Sequence, residues 1–210
     1  WVNDALTGPG FRLHNNSIQS RRFGALVMGR DGEISANRFH DNPASSILLL
    51  NDDDYDNPRE SRMGFMPRDI RIVGNSFTNS TRCTPDPYHA GSAISLEGVI
   101  ASAVVGPNPV PFGSAAEPFV RVAYDGVSGI TIENNRFDGF CRGSAVLLGE
   151  AVNTSVRNNT IGGPPNAVAA AIKVADSTAI FIEDNTLLGW TEMVAAIQVQ
   201  ANSTQAVRIT

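Results

Sequence analysis

The 210-residue chain is poor in several features that define common protein classes. No apolar run approaches the roughly 18 to 20 residues that a membrane-spanning helix needs, so we expect no membrane span. The formal net charge is -5, which argues against a surface for nucleic acid. Aromatic residues make up only 7% of the chain, whereas turns rich in glycine and asparagine are frequent. This composition favours an all-β fold with many turns over a helical bundle.

The printed chain also has no initiator methionine and no signal peptide at its start. It opens with WVNDALTGPGF and ends with AVRIT, which resembles the beginning of another repeat. We therefore expect a piece of a longer protein or a processed chain. Five Asn-X-Ser/Thr triplets permit glycosylation if the protein is secreted. Their asparagines are Asn15, Asn79, Asn153, Asn158 and Asn202.

One short pattern recurs along the whole chain. It reads apolar, spacer, apolar, two spacers, asparagine, spacer, apolar, as in FRLHNNSI (11–18), IRIVGNSF (70–77) and ITIENNRF (130–137). It occurs six times, and Val207 and Ile209 begin a seventh copy. Such a fixed repeat is typical of solenoid proteins. The recurring asparagines are Asn16, Asn37, Asn75, Asn135, Asn159 and Asn185.

A second alternating segment follows each copy of the pattern. These segments are ALVMG (25–29), SILLL (46–50), AISLE (93–97), AVLLG (145–149), AIKVA (171–175) and AIQVQ (196–200). A period of two marks strands with one buried face. Short strands at a spacing of roughly 21 to 27 residues indicate a parallel β-solenoid. We expect one domain over 1–210, a right-handed parallel β-helix with six or more coils.

The recurring asparagine has a structural explanation in such a fold. A coil turns sharply between strands, and asparagine tolerates the left-handed backbone region while its side chain bonds backbone groups. Asparagines stacked on successive coils form a ladder of amide–amide hydrogen bonds inside the turn. We therefore interpret these six residues as an internal ladder and not as catalytic groups.

The coil pattern resembles right-handed parallel β-helix proteins of the pectate-lyase-like kind. More narrowly, ISANRFHDNPASSILLLNDDDYDNPRES (34–61), GSAISLEG (91–98) and VSGITIENNRF (127–137) are similar to the later coils of family 110 glycoside hydrolases. Those β-helix enzymes remove terminal α-galactose. The resemblance spans about positions 10 to 165 and implies a carbohydrate-active protein. The paired catalytic carboxylates of that family lie on earlier coils, and this chain has no matching motif, so catalytic residues stay unassigned.

Three long interruptions of the repeat, 51–67, 78–91 and 98–126, carry most of the candidate ligand-binding residues. Loops that grow from a solenoid commonly hold its chemistry. Crowded carboxylates and an arginine suit hydrogen bonds to sugar hydroxyls or acid–base work on a glycoside. The acidic stretch also suits Ca²⁺, or is simply a solvated loop. The predicted ligand-binding residues are Asp52, Asp53, Asp54, Arg59, Glu60, His89 and Glu97.

The two cysteines are predicted to form a disulfide. Cys83 and Cys141 both fall in the turn after an asparagine strand, on consecutive coils. Adjacent coils lie about 4.8 Å apart, which is compatible with the Cα separation of a disulfide. A reduced pair in an intracellular chain is the alternative.

Two functional hypotheses follow from these patterns. In the first, the chain is part of a secreted glycoside hydrolase-like protein that acts on or binds polysaccharide or another glycan, with no resident cofactor. In the second, it is a non-catalytic β-solenoid of an extracellular or surface assembly, and neighbouring protein subunits are its partners. Because no convincing acid and base pair is present, we expect the isolated chain to cleave no glycosidic bond.

Overall fold

The computed structural model describes residues 5–19, 23–50, 67–81, 92–97, 102–103, 120–121, 126–140, 143–163, 170–190, 196–200 and 205–210. These residues contain β-strands and turns and no helix. The all-β prediction is therefore confirmed over the part of the chain that the structure describes.

Twenty-two strands make up the described structure. They are β1 (Ala5–Pro9), β2 (Arg12–His14), β3 (Ser17–Ile18), β4 (Ala25–Ser35), β5 (Arg38–His40), β6 (Ile47–Leu50), β7 (Arg68–Val73), β8 (Ser76–Ser80), β9 (Ile94–Glu97), β10 (Ser102–Ala103), β11 (Val120–Arg121), β12 (Val127–Ser128), β13 (Thr131–Glu133), β14 (Arg136–Phe140), β15 (Val146–Gly149), β16 (Ala151–Arg157), β17 (Thr160–Gly162), β18 (Ile172–Ala175), β19 (Thr178–Glu183), β20 (Thr186–Leu188), β21 (Ile197–Val199) and β22 (Gln205–Ile209).

The strands form three long parallel walls. The first wall runs β1, β4, β6, β9, β15, β18, β21, and the second runs β2, β4, β7, β12 with β13, β16, β19, β22. Strand β4 is 11 residues long and belongs to both, its first half pairing with β6 and its second with β7. The third wall is a six-stranded sheet, β3, β5, β8, β14, β17, β20. Within these walls each strand pairs in parallel with its counterpart in the next repeat, which is a solenoid-like arrangement. Strands β10 and β11 form a separate antiparallel pair.

Side chains from the three walls meet in one apolar core. In the second wall the alternation of each strand turns a β-branched residue inward, and the row comprises Ile34, Ile72, Ile132, Val156 and Ile182. In the third wall the rings of Phe39 and Phe77 stack at 5.1 Å, and those of Phe77 and Phe137 at 4.7 Å. Such offset aromatic pairs contribute about 0.5 to 1.5 kcal/mol each beyond their buried area.

Part of the first wall is buried on both faces. Val27 and Leu49 belong to the core, and the residues that alternate with them, Met28 and Leu48, are also buried although they face the other way. A strand covered on both sides becomes a continuous apolar run, which explains the unbroken ILLL of β6. The outer face of this wall is therefore covered where β4 and β6 lie.

The recurring asparagines are joined by hydrogen bonds from one repeat to the next. The side-chain amide of Asn75 donates one hydrogen bond to Oδ1 of Asn135, at 3.1 Å, and another to the carbonyl of Ile34, at 2.9 Å. The backbone N–H of Asn75 also donates 2.9 Å to Oδ1 of Asn135. The same contacts recur along the asparagine row, which is Asn16, Asn37, Asn75, Asn135, Asn159 and Asn185.

The backbone conformation of this turn corrects one expectation. The left-handed residue is not the recurring asparagine but the one before it, as at Asn134, with φ of 56°, and Gly74, with φ of 65°. The asparagine in the row instead uses its side chain to satisfy backbone groups of the preceding repeat and to bond the next asparagine of the row. The side chain of Asn135 accepts from the backbone N–H of Asn75 and donates to the carbonyl of Ile72 and to Oδ1 of Asn159. The physical reason is that a buried amide has four hydrogen-bonding sites to fill, whereas the preceding exposed residue makes the bend.

Candidate functional site

Two of the sequence interruptions leave the solenoid from adjacent strand ends. Strand β6 ends at Leu50 and β9 ends at Glu97, and these two residues are partners in the parallel register. The interruptions 51–67 and 98–126 begin directly after them. The interruption 78–91 enters at the opposite end of β9, and its first three residues are still strand because β8 runs to Ser80.

Most of the predicted ligand-binding residues lie outside the described part of the chain. Glu97 closes β9, next to Leu50 on one side and Gly149 on the other. The residues outside the described ranges are Asp52, Asp53, Asp54, Arg59, Glu60 and His89.

The two cysteines also lie outside the described residues. The strands that lead to them are nevertheless neighbours, since Ser80 of β8 and Phe140 of β14 are partners in register. Cys141 follows Phe140 directly, and Cys83 lies three residues beyond Ser80.

In the described part of the chain, the asparagines of the glycosylation triplets lie at exposed positions. Each of the four in the described ranges is exposed and has a left-handed backbone, whereas Asn202 lies outside them. Asparagine is among the few residues that adopt this conformation readily, so turn geometry accounts for their placement. The four are Asn15, Asn79, Asn153 and Asn158.

Alternating charges, one residue per repeat, cross the outer face of the second wall in two adjacent columns, and the ion pair of Arg71 with Glu133 joins the columns. We call this set of residues the charge strip. In the register, Glu33 pairs with Arg71, and Arg157 pairs with Glu133 on one side and Glu183 on the other. Its members are Arg12, Glu33, Arg71, Glu133, Arg157, Glu183 and Arg208.

Ion pairs link most neighbours within the charge strip. Arg71 lies 3.7 Å from Glu33 and 2.9 Å from Glu133, and Arg157 lies 2.7 Å from Glu133. Arg208 lies 3.9 Å from Glu183 at the far end. The arginines are half exposed, so their outer N–H groups face solvent while their inner ones bind carboxylates.

Glu133 is the centre of the charge strip and is only 8% exposed. Its Oε1 accepts a hydrogen bond from Arg71 and its Oε2 accepts one from Arg157, both at 2.9 Å. The hydrogen bond from Arg71 lowers the pKa of Glu133, the bond and charge of Arg157 add to this, and burial opposes it. The same contact raises the pKa of Arg71. Glu133 therefore stays ionised near neutral pH and is unsuited to act as a general acid, which needs a raised pKa.

The charge strip was missed in the sequence reading, although a signal for it exists. Glu133, Arg157 and Glu183 each stand two residues before a row asparagine, and Glu33 and Arg71 stand four before. Aligning the six repeats on their asparagines places these charges in two adjacent outward columns. The apolar columns give the stronger sequence signal because they form the core of the fold.

Within the described ranges, no group of three or more His, Cys, Asp or Glu residues is arranged to hold a metal ion. No helix in that part of the chain is long and apolar enough to cross a membrane. No protein-family model matches the chain, and no curated protein matches it significantly in sequence.

Proposed function

We propose that the chain is a right-handed parallel β-helix of six or more coils with an internal asparagine ladder, and that it binds glycans as part of a secreted glycoside hydrolase-like protein. The observation that carries this proposal is the pairing of Leu50 with Glu97, from which the interruptions 51–67 and 98–126 depart side by side. The two interruptions therefore depart from strand ends that lie about 4.8 Å apart.

The residue types in the sequence of these two interruptions suit sugar recognition. Asp52, Asp53 and Arg59 supply charged and planar groups that pair with sugar hydroxyls. Tyr55 and Phe112 supply flat apolar faces for a sugar ring. Crowded oxygens also suit Ca²⁺, which is the alternative ligand at this acidic stretch.

The proposal assigns binding to this chain and not glycosidic cleavage. Acid catalysis of that reaction needs a carboxyl group with a raised pKa opposite a second carboxylate. The most buried carboxylate of the charge strip has a lowered pKa instead. Because the sequence has no convincing acid and base pair, we expect no turnover of an α-galactoside by the 210-residue chain.

Glycan-array binding of the whole 210-residue chain tests the proposal. The intact chain should bind, and the double variant Asp53→Asn with Glu97→Gln should lose most of the signal. The matched control is Asp176→Asn with Asp184→Asn, which removes two charges at exposed positions away from the interruptions. Binding that is equally weak in both double variants would reflect net charge, and turnover of an α-galactoside would contradict the assignment to binding.

A second candidate function is a structural solenoid in a surface assembly. The observation in its favour is a set of exposed large apolar side chains on the last strands, namely Phe181, Leu188, Val199 and Ile209. Exposed large apolar side chains at the end of a sheet suit contact with another protein or with a further repeat. Absence of glycan binding, together with concentration-dependent self-association in analytical ultracentrifugation, would favour this function over the first.

A further inference from the structure

Ser17, His40 and Asp41 form a hydrogen-bonded chain on the outer side of the third wall. Oγ of Ser17 lies 3.2 Å from Nε2 of His40. Nδ1 of the same ring lies 3.4 Å from Oδ2 of Asp41. Strands β3 and β5 bring these groups together, since Ile18 and Phe39 are paired and point into the core while their neighbours point out.

The protons of this group can be assigned from its chemistry. An ionised carboxylate only accepts hydrogen bonds, so Nδ1 of His40 carries the hydrogen that Asp41 accepts. In the neutral ring Nε2 then has a free lone pair, and the hydroxyl of Ser17 donates to it. This is the order of groups found in nucleophilic catalysis. The hydroxyl of Ser17 corresponds to the nucleophile, His40 corresponds to the base that activates it, and Asp41 corresponds to the group that orients the base.

The carboxylate of Asp41 is itself held in place. The amide of Gln19 donates to Oδ2 at 3.4 Å, and the amide of Asn79 donates to Oδ1 at 3.3 Å. Asp41 also has a left-handed backbone, with φ of 54°. That turn directs its side chain back toward the ring of His40, which precedes it in the chain.

In a second serine and histidine pair, Ser35 and His14, the hydrogen bond runs in the opposite direction, from the histidine to the serine. Oγ of Ser35 donates to Oε1 of Glu33 at 2.8 Å, so its only hydrogen is already used. Nδ1 of His14, at 2.9 Å, must therefore donate to Ser35 and cannot take its proton. Ser35 is also buried, whereas Ser17 is exposed. Among the residues that the structure describes, Ser17 is the serine whose hydroxyl is arranged to be activated by a histidine.

We propose that Ser17 is the nucleophile of an ester-hydrolysing site, with His40 as its general base and Asp41 as a positioning residue. Ser17 Oγ attacks the ester carbonyl carbon as its proton passes to Nε2. The intermediate collapses, and the alcohol leaves with that proton. A water molecule then gives a proton to Nε2 as its oxygen attacks the acyl carbon. The bond between that carbon and Ser17 Oγ breaks, the carboxylic acid leaves, and Nε2 returns the proton to Oγ. No other reactant is needed.

Arg38 completes the site. It is the register partner of Ser17 on β5 and is exposed. A guanidinium beside the nucleophile stabilises the oxyanion of the tetrahedral intermediate by charge. The site lies on an open surface, so a short acyl group such as acetyl, which needs little apolar burial, is the matching substrate class. This activity is independent of the glycan binding proposed above.

The test uses the intact 210-residue chain with p-nitrophenyl acetate and with an alkyl fluorophosphonate. We expect slow ester turnover and one covalent adduct, mapped by peptide mass spectrometry to Ser17. Ser17→Ala and His40→Gln should each lower kcat/KM at least about tenfold, because general-base activation contributes about 10² to 10⁴. Asp41→Asn and Arg38→Gln should lower kcat and leave KM unchanged.

The matched controls are His14→Gln and Ser35→Ala, which alter the oppositely polarised pair and should leave both turnover and labelling unchanged. Circular dichroism shows whether each variant is folded. Absence of the adduct, an adduct on another serine, or full turnover by folded Ser17→Ala would overturn the proposal. Full turnover by folded His40→Gln would also overturn it, because no base would then be required. Loss of glycan binding with ester turnover intact would count only against the proposed function.

Discussion

At the scale of single residues, the turn before each row asparagine is made by a residue with a left-handed backbone. Five of its six occupants are types that tolerate this conformation, and Ala36, with φ of 53°, is the exception. A left-handed backbone costs an ordinary L-residue about 1 to 2 kcal/mol. The six occupants are Asn15, Ala36, Gly74, Asn134, Asn158 and Asp184.

Replacing Ala36 with asparagine should stabilise the protein by about 0.5 to 1 kcal/mol, because asparagine bears the left-handed conformation at lower cost. Ala36 is exposed, so the larger side chain meets solvent. Chemical denaturation measures the change. The matched control is Ala175→Asn in β18, a position outside the left-handed set, where the change should be neutral or destabilising. Equal stabilisation of both variants would contradict the conformational explanation.

Replacing Asn135 with alanine should destabilise the protein by about 1 to 3 kcal/mol. Asn135 is 2% exposed, and its amide donates to the carbonyl of Ile72 and to Oδ1 of Asn159. In the unmodified protein the backbone N–H of Asn75 donates to Oδ1 of Asn135, and the substitution removes this acceptor. Urea unfolding measures the loss, and glycan binding by the folded variant should be unchanged. Unaltered stability together with lost binding would reverse the structural interpretation of the row.

At the scale of the element, alternation along the charge strip favours one pairing of repeats over its neighbours. Glu33 lies beside Arg71, and Glu133 lies between Arg71 and Arg157. If one strand paired one repeat too far along the wall, Arg12 would face Arg71 at one end, and Glu133 would face Glu183 further along. Such a mismatch is destabilising. The charge strip therefore helps to select the correct pairing of repeats, which the apolar rows of the core specify only weakly because they are nearly the same in every repeat.

The charge strip should also make stability depend on pH through Glu133. Its pKa in the folded chain is below its ordinary value of 4.5, so the unfolded chain binds this proton more readily. The stabilisation is therefore fully present above pH 4.5 and is lost as the pH falls through the lower folded pKa. Glu133→Gln should destabilise at pH 7 by about 1 to 3 kcal/mol, and the difference from the unmodified chain should shrink below pH 4.5.

The matched control for this prediction is Glu183→Gln. The carboxylate of Glu183 is more exposed, and its contact with Arg208 is long, at 3.9 Å. Exposed ion pairs contribute about 0 to 1 kcal/mol, so this variant should show little pH-dependent change. Thermal unfolding of the three proteins between pH 3 and pH 7 measures the effect. An equal pH response of both variants would refute a special role for Glu133.

At the scale of the whole molecule, the predicted link between Cys83 and Cys141 would tie two successive repeats together. The register pairs Ser80 with Phe140 just before the two cysteines. Mass spectrometry of a non-reduced digest should find the two cysteine peptides joined. Reduction should lower stability by about 2 to 4 kcal/mol. Two freely alkylated thiols in freshly isolated native protein would contradict both the link and the proposed secretion.

Much of the fold could be predicted from the sequence because a solenoid repeats one local rule. The pattern around Ile130, Ile132 and Asn135 contains the strand, its inward residues and the turn that follows. Copies of it in every repeat also place Phe39, Phe77 and Phe137 in one column. The walls and their parallel pairing follow directly from that column.

The candidate sites could not be predicted in the same way, because they depend on contacts between repeats. Glu33 and Glu133 lie 100 residues apart in the sequence, yet Arg71 contacts both. Ser17 and His40 look like two unrelated surface residues until β3 and β5 pair.

The sequence by itself determined the strand period, the turn positions and the asparagine row, because each follows from side-chain alternation and turn chemistry within about ten residues. Only the tertiary structure decided which outward residues meet. Alternation assigns a side chain to a face, whereas its neighbour on that face comes from the register between repeats. That register places Glu133 between two arginines, which lowers its pKa, and sets the hydroxyl of Ser17 3.2 Å from Nε2 of His40.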